Sequence, residues 1–183
     1  MNTKLVKTVL VAYSKIRRFI EPLMFKLFSQ KTPYNKHKWD LAKAMDINDF
    51  DNYINTFEYK SDKAMGLFDM VFPLDKPEYF FADLKWGRDC DDFARIWAIY
   101  LKRTGDWESI KEQIVLDSNK PFSSAHVILT AKNKNTDKYW LFNYKMLGPY
   151  DNEEKAVKGC ITDRTTSYVY KEETFLWTTY RSI

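Results

Sequence analysis

An abrupt change of pattern near residue 90 constrains the fold more than any other feature of the chain. From residue 90 to 101, apolar residues recur at the spacing of a buried helix face, at Phe93, Ile96, Trp97, Tyr100 and Leu101. After a helix stop at residues 104–105, runs of β-branched and aromatic residues predict strands at 113–116, 125–130, 138–144, 167–170 and 175–180. Helices followed by consecutive strands predict an α+β domain with an antiparallel sheet.

Charge divides the 183-residue chain into a basic arm and a mildly acidic body. Residues 1–38 hold nine of the 29 basic residues and one of the 25 acidic residues, Glu21, whereas the rest of the chain holds 20 and 24. A hydrophobic content of 45% with few Gly and Pro residues indicates one folded core rather than extensive disorder. We predict a basic helical arm at residues 1–30 and one domain at residues 31–183.

The arm has the pattern of an amphipathic helix. Its apolar residues recur at steps of three and four, at Leu5, Val9, Ala12, Ile16, Phe19, Leu23 and Leu27. Pro22 is expected to kink or split this helix, because proline removes a backbone hydrogen bond. Residues 4–28 are expected to dock on the body or on a protein partner, with a membrane surface or a polyanion as alternatives. Aromatic residues are rarely interleaved with the charges, so the nucleic-acid signal is weak.

Three residues form a candidate catalytic set. Cys90 begins a predicted helix, a position that favours the reactive thiolate, and the acids around it require a further activating group such as a histidine. His126 begins a predicted strand and is a suitable base, and Asn143 on the next strand can orient its imidazole. Asp137 and Asp151 are weaker candidates for that orienting role.

The remaining cysteine and histidine have no comparable context. Cys160 lies 70 positions after Cys90 and has no base near it in sequence, so we predict a structural role and no disulfide framework. His37 lies in a basic segment and is expected to be a surface residue.

The motif Gly-x-Asp-Cys-Asp-Asp-Phe-Ala at residues 87–94, the segment Ala-His-Val-Ile-Leu at 125–129 and the strand ending in Asn143 resemble the bacterial transglutaminase-like cysteine proteinases. The resemblance covers roughly residues 85–145. It implies a papain-like or transglutaminase-like core, with a nucleophile helix packed on an antiparallel sheet and a Cys90–His126–Asn143 triad. Two departures from the family pattern are Arg88, inserted before Asp89, and Asn143, which stands where aspartate is usual.

The resemblance also implies further contacts at the site. Some family members bind calcium through acids that flank the cysteine, which correspond here to Asp89 and Asp91. The alternative is that these acids cap the helix and complement its dipole, since a calcium site needs six or more oxygens. No cofactor is otherwise expected, and Trp86 is a candidate for lining the substrate cleft.

Together these features predict a thiol hydrolase, a cysteine peptidase or amidase that acts on a polypeptide through a thioester acyl-enzyme. Acyl transfer to an amine and cleavage of peptidoglycan peptides are variants within that class. The alternative is a catalytically silent transglutaminase-like fold that serves as a structural or binding module in a larger assembly, such as one of a bacteriophage. The sequence contains no apolar run of transmembrane length and no clear export signal. A cytoplasmic location is therefore expected, with a virion-associated or periplasmic one as alternatives.

Overall fold

The computed structural model describes residues 3–28, 35–59, 72–82, 88–121, 123–166 and 168–183, and it confirms the α+β class. Its helices are α1 (Thr3–Phe28), α2 (Lys36–Ala42), α3 (Ile47–Ile54), α4 (Cys90–Thr104) and α5 (Glu153–Thr162). Short 3-10 turns cover Pro77–Tyr79 and Glu172–Thr174. Trp86, the predicted cleft residue, lies outside the described residues, as does Gly87.

The described strands form one antiparallel sheet. They are β1 (Trp107–Asp117), β2 (His126–Asn133), β3 (Lys138–Asn143), β4 (Lys145–Tyr150) and β5 (Phe175–Ser182), in the order β4-β3-β2-β1-β5. A hairpin turn joins β2 to β3, and Asp137 adopts a positive φ in it.

The secondary-structure prediction is wrong for one strand and incomplete for two other elements. Residues 168–170, within the predicted strand 167–170, are not in a strand. Conversely, the sequence patterns do not predict β4 or α5. Strand β4 contains Gly148 and Pro149, and both residue types are rare inside strands. An edge strand such as β4 tolerates them, because one of its two sides forms no backbone hydrogen bonds with a neighbouring strand.

Helix α4 begins at the cysteine, as the sequence pattern predicts, and packs on the sheet. Asp89 is its N-cap and forms a capping box with Asp92, while Gly105 ends it in the left-handed conformation. Its buried face carries Trp97, whose indole packs against the ring of Phe142 on β3. The capping chemistry and the apolar face together fix where Cys90 stands relative to the sheet.

Helix α1 lies along β5 and runs through Pro22 without interruption, so the expected split does not occur. The face that it buries carries Val6, Leu10, Ser14 and Glu21, whereas the apolar face predicted from the sequence points away from the body. The division into an arm and a domain stays a prediction. None of the described helices combines the length and the apolar content that crossing a bilayer requires.

A buried network of charges ties α1 to the body. Glu21 accepts hydrogen bonds from the Tyr180 hydroxyl and from the Arg181 guanidinium on β5. Arg95 of α4 donates to both carboxylate oxygens of Glu112 on β1 and lies near Glu21, with Arg95 and Glu112 each only 1% exposed. These contacts join α1, α4, β1 and β5 and hold the helix in one orientation.

Candidate active site

The sulfur of Cys90 lies at the meeting point of α4 and β2. Cys90 is the first residue of α4 and is half-buried. Its Sγ accepts a hydrogen bond from the backbone N–H of Val127, with an N-to-Sγ distance of 3.4 Å. Because Val127 directly follows His126, this contact brings the thiol to the part of the sheet that carries the candidate base.

His126 and Asn143 are in direct contact. His126 is the first residue of β2 and Asn143 the last of β3, and the register that pairs Leu129 with Phe142 brings both to one end of the sheet. The His126 Nε2 atom lies 2.6 Å from Asn143 Oδ1, and both side chains are buried. The structure therefore brings Cys90, His126 and Asn143 together, while their catalytic roles stay predictions.

A fourth residue, Asp163, extends this chain of contacts. It follows the last residue of α5, and its Oδ2 accepts a hydrogen bond from Asn143 Nδ2. Thr165 donates to the same carboxylate through its backbone N–H and its hydroxyl. An ionised carboxylate can only accept, so Asn143 must turn its NH₂ group to Asp163 and its oxygen to the histidine.

This orientation of the amide fixes the tautomer of His126. Since Asn143 Oδ1 is an acceptor, the imidazole donates its Nε2 proton to it, and in the neutral ring Nδ1 is then the nitrogen with a lone pair. Nδ1 is thus the atom of His126 that can take a proton from a thiol.

Opposing effects act on the pKa of His126. Burial lowers it, because the charged imidazolium loses its hydration. The hydrogen bond to Asn143 and the negative charge of Asp163 act in the opposite direction, and the net result is a pKa below the usual value. A lowered pKa favours the neutral imidazole, which is the form that can act as a base.

Tyr144 covers the histidine. Its ring centre lies 5.5 Å from that of His126, and it also packs edge-on against Phe93 and Tyr59. Burial and the nearby Cys90 raise the pKa of its phenol, so the hydroxyl stays neutral. Its backbone has a φ of 58°, a left-handed conformation that is rare for an aromatic residue. Tyr144 therefore forms an apolar wall beside the imidazole.

The acids that flank Cys90 have partners within the protein. Asp89, Cys90 and Asp91 offer atoms within 4.8 Å of one another, a spacing that suits a metal ion. However, an Asp89 oxygen accepts the Asp91 backbone N–H, and Asp91 Oδ2 is ion-paired with the guanidinium of Arg17 from α1. The buried Asp91 Oδ1 has no hydrogen-bond partner in the described part of the chain.

This arrangement does not fit calcium. The ion needs six to eight oxygens, and a guanidinium beside the carboxylate would repel it. A calcium ion bound here would have to displace Arg17 from Asp91. In the structure, Asp89 caps the helix, as the alternative interpretation of these acids predicts. Arg17 neutralises Asp91, a contact that neither interpretation predicts.

The other candidates lie away from this cluster. Asp137 is paired with Lys132, and Asp151 with Lys138 and Lys155, on exposed hairpin ends, so neither reaches the imidazole. His37 is exposed. Cys160 is buried in the second apolar cluster, and burial raises the pKa of its thiol.

Sequence reasoning missed Asp163, Tyr144 and Arg17. Tyr144 follows Asn143 directly, so its place beside the histidine could have been considered. Asp163 lies in a Thr-Asp-Arg-Thr-Thr segment that has the composition of an ordinary turn, and Arg17 is one of several basic residues on α1. Nothing in the sequence distinguishes these two from their neighbours.

Comparison with known proteins finds distant structural likenesses. No family model matches the chain, and no curated protein matches it. A structure of LapG from Legionella pneumophila aligns over 80% of this chain and 75% of its own, with 18% identity and a TM-score of 0.39. A calcium-bound LapG structure from the same organism aligns over 80% and 76%, with 16% identity and a TM-score of 0.38. At this level the likeness assigns neither a fold family nor an activity to this chain.

Proposed function

We propose that this protein is a thiol hydrolase that cleaves amide bonds in a polypeptide, with Cys90 as nucleophile and His126 as base. The observation that carries the proposal is the hydrogen-bonded chain from Asp163 through Asn143 to His126 Nε2, together with the bond that the Cys90 sulfur accepts from the backbone of the next residue, Val127. A carboxylate, an amide and an imidazole aligned in this way support proton transfer at Nδ1.

The chain of contacts provides a negative charge near His126, which an asparagine alone does not. In a Cys-His-Asn set the amide orients the imidazole but carries no charge to stabilise the imidazolium. Here the negative charge of Asp163 lies directly behind the amide. Asn143 orients the ring, and Asp163 provides the electrostatic stabilisation.

The reaction then follows in four steps. His126 Nδ1 takes the thiol proton, and the Cys90 thiolate attacks the carbonyl carbon of the peptide bond. The resulting oxyanion is stabilised by a backbone N–H near the start of α4. The carbon–nitrogen bond breaks as the imidazolium returns its proton to the departing amine, which leaves a thioester on Cys90. Water attacks the thioester and gives its proton to Nδ1, the carbon–sulfur bond breaks, and the carboxyl product leaves as the thiol re-forms.

Arg17 supports this chemistry electrostatically. Three acids, Asp89, Asp91 and Asp92, surround the thiol and disfavour a thiolate. The ion pair with Arg17 offsets the charge of Asp91, and the N-terminus of α4 adds a favourable dipole. The proposed reaction therefore needs no bound cation.

The test is the rate of iodoacetamide alkylation at each cysteine as a function of pH, read by peptide mass spectrometry. We expect Cys90 at about pH 6 to react at least about tenfold faster than a peptide thiol, because a paired histidine stabilises the thiolate. His126→Ala should remove this advantage, and His37→Ala, which changes the exposed histidine, should not. The buried Cys160 provides an unreactive internal reference.

The same experiment separates the enzyme from a silent fold. If Cys90 titrates like a peptide thiol in the native protein and in His126→Ala, the chain is not a thiol hydrolase and a binding-module role replaces the proposal. If Cys90 is activated, a peptide library with a Cys90→Ala control identifies the substrate sequence and shows whether water or an amine accepts the acyl group.

A further inference from the structure

Helix α1 exposes a continuous apolar stripe to solvent. Leu5, Val9, Ile16 and Leu23 are each more than half exposed, and Phe19 is 85% exposed. With the exposed Ala12, these residues are spaced at alternate steps of four and three, so they form one line along five turns of the helix. Exposed apolar side chains aligned in this way indicate an interaction surface.

The stripe is separate from the face that α1 uses to pack on the body. Val6, Leu10, Ser14 and Glu21 are buried against the body, and at 100° per residue they lie far around the helix from the stripe. Arg17, which holds Asp91, lies nearly opposite Phe19 by the same geometry. Binding at the stripe therefore leaves the contacts with the nucleophile helix in place.

Positive charge borders the stripe along one side. Lys15, Arg18 and Lys26 are exposed and lie on the flank of the helix between the stripe and the Arg17 side. The one acidic residue in the sequence of α1, Glu21, is buried against Tyr180 and Arg181. The exposed surface of α1 thus combines apolar side chains with charges of one sign.

We propose that this face of α1 binds the surface of an anionic lipid bilayer, with the helix lying in the plane of the interface. The apolar stripe would enter the boundary between headgroups and acyl chains, and the flanking cations would meet lipid phosphates. Helices with a basic polar side and Leu, Ile and Phe on the other bind bilayers in this way.

Charge complementarity favours lipid over the other occupants. A second copy of α1 would cover the stripe but would bring more cations and no exposed acid to pair with them. A polyanion would satisfy the cations but would leave Phe19 and its apolar neighbours in water. An anionic bilayer satisfies both sets of side chains.

The docked position of α1 also suits this role. The helix is already folded along β5 and fixed through Glu21 and Arg17, so lipid binding does not have to supply the free energy of helix formation. Because those contacts lie on the other face, the body would be carried to the membrane as a unit.

The test is flotation of the full chain with vesicles of phosphatidylcholine, alone or with about 30% phosphatidylglycerol, at about 0.05 M and about 0.5 M salt. We expect binding to the anionic vesicles that weakens at high salt. Phe19→Ser should weaken it by about tenfold or more, from the apolar area lost. Lys15→Gln with Lys26→Gln, which changes two exposed lysines beside the stripe, should weaken it about 25-fold, at about a factor of five per charge.

Two matched variants serve as controls. Val169→Ser removes an apolar side chain that is 83% exposed elsewhere, and Lys145→Gln removes an exposed lysine of β4. Neither should change vesicle binding. Because all these side chains are exposed, every variant should keep the native melting temperature, which a thermal melt verifies.

Three results would overturn the proposal. The first is that the native protein does not bind anionic vesicles at low salt. Equal binding of native protein and Phe19→Ser to heparin and to vesicles would indicate a polyanion site instead. Self-association in sedimentation equilibrium that Phe19→Ser abolishes, without vesicle binding, would indicate a second copy as the occupant.

Discussion

The contribution of Asp163 can be measured by replacing it with asparagine. Its carboxylate reaches His126 through Asn143, and the two hydrogen bonds with the amide between them place the two charges about 8 Å apart. At an effective dielectric constant of about 20, the Coulomb attraction between the carboxylate and the imidazolium at this distance is about 2 kcal/mol, which corresponds to about 1.5 pKa units. Because the negative charge stabilises the imidazolium, removing it should lower the pKa of His126 by about that amount.

Two readouts follow from this shift. The pKa is measured by NMR titration of the ring protons, with the exposed His37 as an internal reference and His126→Ala for assignment. The same loss of proton affinity should reduce the thiolate–imidazolium form about 30-fold relative to the neutral pair. Alkylation of Cys90 at about pH 6 should slow by up to that factor.

A control and a refuting result complete this experiment. Asp151→Asn removes a carboxylate that is exposed and paired with lysines on the surface, so it should leave His126 unchanged. Thr165 donates to Asp163 and can still donate to the oxygen of an asparagine, and a thermal melt checks that the variant is folded. A pKa of His126 within about 0.3 units of the native value in folded Asp163→Asn would refute the electrostatic role.

Three further predictions concern stability and calcium. Arg95→Met should destabilise the protein by about 3–5 kcal/mol in urea denaturation, because the buried Glu112 keeps only the longer ion pair with Arg181, at 3.8 Å. Changing Glu112 to Met as well should recover much of the loss, and a double variant no more stable than the single would contradict this. Neither a chelator nor added calcium should change the melting temperature of the native protein, because Arg17 already neutralises Asp91. Arg17→Ala should melt at a lower temperature and regain stability with calcium. Destabilisation of the native protein by a chelator would show that a bound metal ion, and not Arg17, balances the charge of Asp91. Gly159→Ala should cost about 1–3 kcal/mol in urea denaturation, because its Cβ would lie 2.5 Å from the Tyr150 hydroxyl and 2.9 Å from the ring carbon Cζ. Tyr150→Phe should relieve only part of this cost, since Cζ remains, and an unchanged urea midpoint in Gly159→Ala alone would show that Tyr150 moves freely.

Local pattern predicted the elements that carry the candidate site. The start of α4 at Cys90 follows from an N-cap aspartate and a helical apolar period, and β2 and β3 follow from β-branched and aromatic runs around a turn. These features are encoded within a few neighbouring residues. The sequence patterns did not predict β4, whose Gly148 and Pro149 usually end strands, because its position at the sheet edge is a property of the whole sheet.

Sequence patterns alone predict the fold class and the helix that presents Cys90, and they favour Asn143 over Asp137 and Asp151 as the partner of His126. Only the folded chain shows that Asp163 lies behind Asn143, that Arg17 neutralises Asp91 and that α1 turns its apolar stripe outward. The two groups of features differ in the sequence range of the interactions behind them. Helical periods, caps and hairpin turns depend on residues close in sequence, whereas Arg17 and Asp91 are 74 positions apart and meet only when the chain has folded.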